Sequence, residues 1–267
     1  MDKLTQRIKE LFDRGEITLA IGYEKGTDGQ PRPMFCRNAR DAERMVFSND
    51  FGQNLAVYLT KAELIKGEKV AVAATIPTLR SIYYLFRENQ VGQQAFTILH
   101  LSPNDEFMHF LKTDDIAVYI DHIPSEPSEA DQELLERLDA MTSEERWAFW
   151  QNEFSRCIKC YACRAACPMC YCTRCIVEDN RPQWIDPWPS PLSNMEWQIS
   201  RVMHLAGRCV GCGSCGEACP EGIPVHLLNR KLLGNIAADF GVAPGAAPKE
   251  GAVLNTFRAD DKENFIL

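Results

Sequence analysis

The sequence has no long apolar run. Stretches such as Val70–Ala74 are interrupted well before the roughly 18 residues that a membrane span requires. It also lacks an export signal, because its start is charged and amphipathic, with Leu4, Ile8 and Leu11 at helical spacing. Clusters of Lys and Arg are missing as well, and the net charge of -8 argues against a nucleic-acid partner. These absences predict a cytoplasmic protein with no direct membrane span.

Several signatures of enzyme active sites are missing too. No G-x-G-x-x-G follows a predicted strand, and the turn Thr75–Thr78 (TIPT) has no glycine that would let a pyrophosphate approach the backbone. The chain has no P-loop, nucleophile elbow or zinc-protease helix. A flavin such as FAD could still bind at strand ends, but no residue pattern requires it.

The first 123 residues alternate between helical and strand patterns. The predicted strands are Val70–Thr75, Phe96–Leu101 and Ile116–Asp121, after an apolar run at Ile17–Tyr23, and the predicted helices are Asn54–Lys66 and Thr78–Asn89. This alternation predicts an α/β domain over residues 1–123 with a partly parallel sheet. The Pro- and Ser-containing stretch His122–Glu129 is interpreted as the domain boundary.

Residues 130–240 are predicted to form a mainly helical, loop-rich, ferredoxin-like domain. Helices are expected over Ala130–Ala140, over a segment capped by Ser143, and in the run HLLNRKLLGNI. The second helix would bring Trp147, Trp150 and Phe154 to the first cysteine motif, where they pack in a core and are also compatible with shielding a cluster. Residues 241–267 have little periodicity and are predicted to be an extended C-terminal arm, loosely ordered or laid across a partner.

Twelve cysteines are present, and eleven of them lie between Cys157 and Cys219. Most are two or three residues apart, which is not the spacing of a disulfide framework, so metal ligation is predicted. The motif C-x2-C-x2-C-x3-C-P occurs twice. Its cysteines are Cys157, Cys160, Cys163 and Cys167 in the first copy, and Cys209, Cys212, Cys215 and Cys219 in the second. Structural zinc sites use paired C-x2-C knuckles, so the triplets predict two [4Fe–4S] clusters.

The two clusters are predicted to exchange one ligand each. In such motifs three thiolates of one copy hold one cube, and the fourth reaches the other cube. The predicted sets are Cys157, Cys160, Cys163 and Cys219 for cluster 1, and Cys209, Cys212, Cys215 and Cys167 for cluster 2. The second loop contains Gly211, Gly213 and Gly216, whose freedom would let backbone amides point at sulfur and raise the reduction potential. Two clusters of unequal reduction potential would form an electron-transfer path.

Four cysteines remain after this assignment. They are Cys36, Cys170, Cys172 and Cys175. One interpretation is a third metal site made by the last three, with Cys36 or a non-cysteine group as fourth ligand; the other is ordinary free thiols. Alternatively, one of the three replaces Cys167, while Cys36 alone is predicted to be a plain core or surface thiol. His204 precedes Cys209 by five residues and is interpreted as structural, with a role at a cluster or in proton transfer as the alternative.

The cysteine-rich segment resembles a known family. The run CIKCYACRAACPMCYCTRC, followed by MHLAGRCVGCGSCGEACP, resembles the β subunits of coenzyme F420-linked formate dehydrogenases and hydrogenases. It equally resembles related iron–sulfur subunits of heterodisulfide-reductase-type complexes of anaerobes, over about residues 155–233. Upstream, KVAVAATIPTLRSIYYL looks like the family's strand–turn–helix but lacks the glycine and Pro-Cys usual at that turn. The resemblance implies electron transfer with a flavoprotein, hydrogenase or formate dehydrogenase subunit in anaerobic metabolism.

Three functions stay open at this point. The expected one is an electron relay in an oxidoreductase complex, without a catalytic site of its own. The first alternative is a flavin-containing β subunit, with FAD, that itself oxidises or reduces a deazaflavin or nicotinamide cofactor. The second is an iron–sulfur sensor or structural subunit, and sensing is disfavoured because the sequence has no basic patch for DNA.

Overall fold

The computed structural model describes residues 3–92, 96–102, 104, 106–110, 112–175, 177–179 and 181–241. After Gly241 the predicted C-terminal arm lies outside this part of the chain. The strands are β1 (Leu19–Lys25), β2 (Pro31–Cys36), β3 (Met45–Val46), β4 (Val70–Ala73), β5 (Phe96–Leu101) and β6 (Phe107–Phe110). The helices are α1 (Lys3–Asp13), α2 (Ala62–Ile65), α3 (Ile76–Arg87), α4 (Thr113–Asp121), α5 (Glu129–Ala140), α6 (Ser143–Ser155), α7 (Ala162–Ala165), α8 (Pro191–His204), α9 (Ser214–Glu217) and α10 (Val225–Phe240).

One mixed sheet organises the N-terminal part. Its strand order is β2-β1-β4-β5-β6, with β3 also paired to β1. The central strands β1, β4 and β5 are parallel, whereas β2, β3 and β6 pair antiparallel with their neighbours. All four residues of β4 are buried, as expected for a parallel strand covered on both faces. The predicted order of an α/β sheet followed by helices is therefore confirmed.

Alternate residues of the central strands bury opposite faces of this sheet. On the first face, Ala71 and Leu99 pack against α1. On the second face, Ile21 and Val72 share a core with α3 and α4. That second core also contains Met169, Leu205 and Val210 from the cysteine-rich part of the chain. The cysteine-rich segment is therefore packed on the second face of the sheet.

Two predicted elements differ from the structure. The strand predicted over Ile116–Asp121 is wrong, because this stretch is the end of α4. Ile116 and Ile120 are both buried and four residues apart, which is the spacing of one helix face. The helix predicted over Asn54–Lys66 is instead a 3₁₀ helix, Leu55–Thr60, followed by the single turn of α2.

The helices after the predicted boundary largely follow the sequence. Helix α6 is capped by Thr142 and not by Ser143, and Glu145 completes a capping box with Thr142. Trp150 and Phe154 lie in a hydrophobic core that contacts the first and last motif cysteines, so they both pack in a core and cover those thiols. Trp147, in contrast, is 51% exposed.

A polar contact joins the N-terminal sheet unit to the cysteine-rich part. Arg208 donates two hydrogen bonds to the carboxylate of Glu88, at 2.6 and 2.8 Å, and Tyr171 donates a third at 2.9 Å. Both charged side chains are half-buried. Among the described residues, no helix combines the length and apolarity needed to cross a membrane.

Candidate metal centres

The eight motif thiols surround two small cavities. The first cavity is lined by Cys157, Cys160, Cys163 and Cys219, and the second by Cys167, Cys209, Cys212 and Cys215. In each cavity three thiols come from one loop, and the fourth comes from the end of the other loop. Within the described part of the chain, no three His, Cys, Asp or Glu side chains are grouped tightly enough to bind a single metal ion.

The two cysteine loops share a backbone conformation. Lys159 and Tyr161 in the first loop have φ angles of 53° and 59°, and Gly211 and Gly213 at the equivalent positions of the second loop have 70° and 79°. In each loop the second left-handed residue precedes a one-turn helix that carries the third cysteine, α7 or α9. The left-handed residues turn the chain around the cavity, and only glycine adopts this region without a steric cost.

Lys159 explains how the first loop keeps a non-glycine residue in this conformation. Its side chain is buried, and its ammonium group donates hydrogen bonds to the Asp186 carbonyl and to Ser193 Oγ. Burial lowers the pKa of Lys159, and nearby anionic groups oppose this shift. The lysine therefore attaches the loop to the start of α8, at the cost of a strained backbone angle.

Polar hydrogens approach the thiols more closely in the second cavity. The Gly211 amide donates to Cys209 Sγ at 3.4 Å, and Asn229 Nδ2 donates to Cys215 Sγ at 3.8 Å. In the first cavity, Gln198 Nε2 lies 4.0 Å from Cys157 Sγ. Hydrogen bonds to cluster sulfur raise a reduction potential, and the unequal potentials of the two sites stay a prediction.

Ser214 connects the second cavity to the N-terminal part. Its hydroxyl lies 2.6 Å from the Gly52 carbonyl oxygen and 3.3 Å from Cys212 Sγ, and it accepts a hydrogen bond from the Asn54 amide at 3.0 Å. A hydroxyl has one proton, and the shorter contact shows that the Gly52 carbonyl receives it. The contact thus ties the second cysteine loop to the segment before the 3₁₀ helix.

Burial changes the protonation of the motif thiols. It raises the pKa of Cys163, and it raises the pKa of Cys215 to about 12. A thiol in such surroundings stays protonated unless a cation compensates the thiolate charge. Iron would supply that compensation, so four thiols around one cavity, of which Cys163 or Cys215 is buried, fit a bound cluster better than four free thiols.

The surroundings of Arg201 also indicate whether an iron–sulfur cluster fits the two cavities. Its side chain is 3% exposed and forms no ion pair with an acidic side chain of the described residues. Nη2 donates to the Cys163 carbonyl at 2.9 Å, whereas Nε and Nη1 have no hydrogen-bond partner in the described part. Burial alone would lower the pKa of Arg201, but Cys215 and Cys167 beside it outweigh burial and raise the pKa. A buried guanidinium next to both cavities needs anionic neighbours, and thiolate-bound clusters provide them.

A third, larger cavity contains the extra cysteines. It has a volume of about 440 Å³, and its lining includes Cys170, Cys172 and Cys175 together with Arg164, Arg201, His204 and Arg208. Cys170 lines this cavity, whereas Cys167 lines the second one. Cys36 is buried in the core on the opposite face of the sheet, with Sγ 2.9 Å from the Asn38 carbonyl. It is therefore a core thiol and cannot complete a site with the other three.

The polar residues around the cavities belong to no motif that the sequence displays. Arg201 and Gln198 come from α8, and Asn229 comes from α10. For α8 the sequence does contain a signal, because Asn194, Gln198 and Arg201 form a polar stripe along one face of an amphipathic helix. All three are buried, which is unusual for these residue types unless they have a polar partner.

Comparison with known proteins agrees with this picture. Residues 153–223 match the family described as 4Fe-4S dicluster domain. The F420-dependent formate dehydrogenase subunit beta of Methanocaldococcus jannaschii is 33% identical over 96 residues, which are 36% of this chain and 25% of that protein. The F420-dependent formate dehydrogenase 1 subunit beta of Methanococcus maripaludis is 34% identical over 96 residues, 36% of this chain and 24% of its own length.

The chain thus spans only about a quarter of the length of these curated relatives. The resemblance predicted from the cysteine motifs is confirmed within that region. The chain is therefore similar to the 4Fe-4S dicluster domain family over residues 153–223, and to part of the β subunits of F420-dependent formate dehydrogenases over 96 residues.

Proposed function

We propose that this protein is an iron–sulfur subunit that binds two [4Fe–4S] clusters and relays electrons between redox partners of a larger oxidoreductase complex. The observation that carries the proposal is the grouping of eight motif thiols into two cavities of four thiols each. When bound, a [4Fe–4S] cube accepts and donates one electron at a time. The chain's own residues hold the two cubes, set their potentials and place them next to each other.

The cavity linings support a crossed ligand assignment. Cys157, Cys160, Cys163 and Cys219 would hold cluster 1, and Cys209, Cys212, Cys215 and Cys167 would hold cluster 2. Each set is the complete cysteine lining of one cavity. Arg201 lies beside thiols of both sets, so the two clusters would be neighbours separated by a buried cation.

The two clusters would have different surroundings. Cys160 and Ile158 beside the first cavity are exposed, the latter by 53%. Cys209 and Cys212 of the second cavity instead pack against the core shared with the N-terminal sheet. We propose that a partner subunit exchanges electrons with cluster 1 at this exposed side. The names of the relatives suggest a partner of the formate dehydrogenase type. A hydrogenase or flavoprotein subunit is the alternative partner, because it would also exchange electrons with the cluster one at a time.

The turn Thr75–Thr78 favours the relay over a flavin-containing subunit. Thr75 caps α3 through a hydrogen bond from the Thr78 amide to its Oγ1 at 3.4 Å. Thr75 is 1% exposed and Thr78 is 0% exposed. At this strand end one amide of the helix N-terminus is therefore capped by Thr75 and the turn is covered by the protein itself, which disfavours pyrophosphate binding here.

Anaerobic purification of the full chain tests the proposal. Iron and acid-labile sulfide should each be at least about eight per chain, and denaturation should release no flavin. About four iron atoms, or stoichiometric zinc in place of iron, would contradict the two-cluster assignment. A released flavin would favour the alternative in which the subunit itself reacts with a deazaflavin or nicotinamide.

The crossed assignment has its own test. Because Cys219 lines the first cavity, Cys219→Ser should change the EPR signal of the cluster that Cys157→Ser also affects. Cys36→Ser is the matched control, since Cys36 is a core thiol away from both cavities. If Cys219→Ser changes only the cluster that responds to Cys209→Ser, the ligands are not crossed.

A further inference from the structure

We propose that the three extra cysteines bind a third iron–sulfur cluster, a cube held by Cys170, Cys172 and Cys175 whose fourth iron is bound by His204. The inference rests on the proposed electron-relay function. It starts from the cavity of about 440 Å³ that these four residues help to line. Three thiols facing one space are the minimum that holds a cube at three corners, and ligand sets with histidine in place of a cysteine occur among iron–sulfur proteins.

Charged side chains hold the backbone of the loop that carries the thiols, and Cys170 and Cys175 also pack against apolar clusters. Arg164 donates a hydrogen bond to the Cys172 carbonyl at 3.0 Å and forms an ion pair with Glu178. The other oxygen of Glu178 accepts a hydrogen bond from the Cys175 amide at 3.2 Å. These contacts fix the backbone at Cys172 and Cys175, so the loop presents its thiols to the cavity in a defined arrangement.

The charge around the cavity fits an anionic cluster. Its lining contains Arg164, Arg201 and Arg208. Its acidic residue, Glu88, already accepts hydrogen bonds from Arg208 and Tyr171. The lining is therefore cationic overall, as expected beside a cube with three thiolate ligands, where buried positive charge offsets the charge of the thiolates.

The fourth ligand of the third cluster is inferred from the positions of the other possible ligand side chains. Cys36 is on the opposite face of the sheet, and Glu88 is engaged by Arg208. His204 is exposed at the end of α8, lines the cavity, and its imidazole makes no hydrogen bond with the described residues. A neutral imidazole is a common ligand of iron, so His204 is the donor that remains.

The position of this cluster would extend the electron path. The Cys170 amide donates to the Cys167 carbonyl at 3.1 Å, so the ligands of the second and third clusters are neighbours along the chain and in space. Arg201 lines both cavities. Cys172 is exposed, which places the third cluster at the surface. Electrons would then leave or enter at this third, surface-exposed site as well as at the exposed side of cluster 1.

Iron counting on the full chain separates this inference from the two-cluster proposal. The protein should contain about twelve iron atoms, and the double variant Cys172→Ser/Cys175→Ser about eight, with the EPR signals of the other two clusters retained. Cys36→Ser should keep all twelve. About eight iron atoms in the unchanged protein would overturn the third cluster and leave the first two in place, whereas fewer than eight would contradict the proposed function itself.

A second measurement covers the case in which the double variant does not fold. The reduced wild-type protein should show nitrogen hyperfine coupling from a cluster-bound imidazole in pulsed EPR, and His204→Ala should lose that coupling while remaining folded. His122→Ala is the control, since His122 is exposed outside the cysteine-rich segment. Absence of histidine nitrogen coupling in the wild type, or its persistence in His204→Ala, would overturn the assignment of His204.

Discussion

Arg201 shows how one residue can set the chemistry of two sites. Its guanidinium is buried beside thiols of both motif cavities and is not neutralised by an acidic side chain of the described residues. A fixed positive charge stabilises the reduced form of a cluster more than the oxidised form, because reduction adds negative charge. The effect is large at a buried site, where solvent screens the interaction poorly.

Replacing Arg201 with Met should therefore lower the reduction potentials of the clusters at both motif cavities. We expect a decrease on the order of 60 mV or more, the shift that corresponds to a tenfold change for one electron. EPR-monitored redox titration measures it. Arg174→Met is the control, because the Arg174 side chain is 82% exposed. Unchanged potentials in Arg201→Met would show that the guanidinium acts only in packing.

At this scale the sequence predicted the thiols but not their polar neighbours. The eight motif cysteines follow a spacing that a short loop imposes by itself, so the pattern is visible without tertiary information. Arg201, Gln198 and Asn229 reach the thiols from helices that pack on the loops from elsewhere. Which face of α8 or α10 meets a cavity is decided by packing, and periodicity alone does not distinguish it from the core face.

The backbone conformation of the second cysteine loop can be predicted from the sequence, whereas that of the first cannot. Gly211 and Gly213 of the second loop indicate a left-handed conformation, whereas Lys159 and Tyr161 of the first loop adopt it without any such signal in the sequence. The first loop has the same φ signs, and the side chain of Lys159 is held by buried hydrogen bonds. The local sequence pattern also gives the wrong element at α4, because a short stretch with two buried isoleucines predicts a strand where the structure has a helix.

Gly213→Ala should destabilise the second loop. Its φ of 79° places an added Cβ in a disfavoured backbone region even though no atom lies within 4 Å of it. We expect a loss of about 1–2 kcal/mol in the free energy of unfolding and a lower iron content. The control is Gly234→Ala in α10, where a Cβ also meets open space. That substitution should stabilise the protein by about 0.5–1 kcal/mol. Thermal unfolding of both variants decides, and equal behaviour would contradict the conformational argument.

At the scale of the whole molecule, the sheet unit and the cysteine-rich part share one hydrophobic core. Met169, Leu205 and Val210 complete the core on the second face of the sheet. The Glu88–Arg208 pair and the Ser214 contacts add polar links between the same two parts. The predicted boundary near residue 123 followed from composition, which carries no information about such packing between distant segments.

Breaking the polar link should weaken both parts together. Glu88→Gln removes the charge that Arg208 and Tyr171 share, and it should cost about 1–3 kcal/mol because the half-buried Arg208 loses its counter-charge. Cluster absorbance and far-UV circular dichroism should be lost in one common transition, at lower temperature than in the wild type. Asp139→Asn is the control, since its pair with Lys231 is exposed by about half and should matter by less than about 1 kcal/mol. Separate transitions for the two signals would contradict the shared core.

The crossed lining of the two cavities also constrains the order in which the protein can be built. In the proposed assignment, cluster 1 needs Cys219, which the ribosome adds long after Cys157, Cys160 and Cys163, and cluster 2 needs Cys167 from the earlier loop. A nascent chain that ends before residue 219 therefore presents three thiols without their fourth partner. Iron delivered at that moment would find an incomplete and solvent-open set of donors. In the proposed crossed assignment, cluster 1 is therefore expected to be completed only after Cys219 has been synthesised.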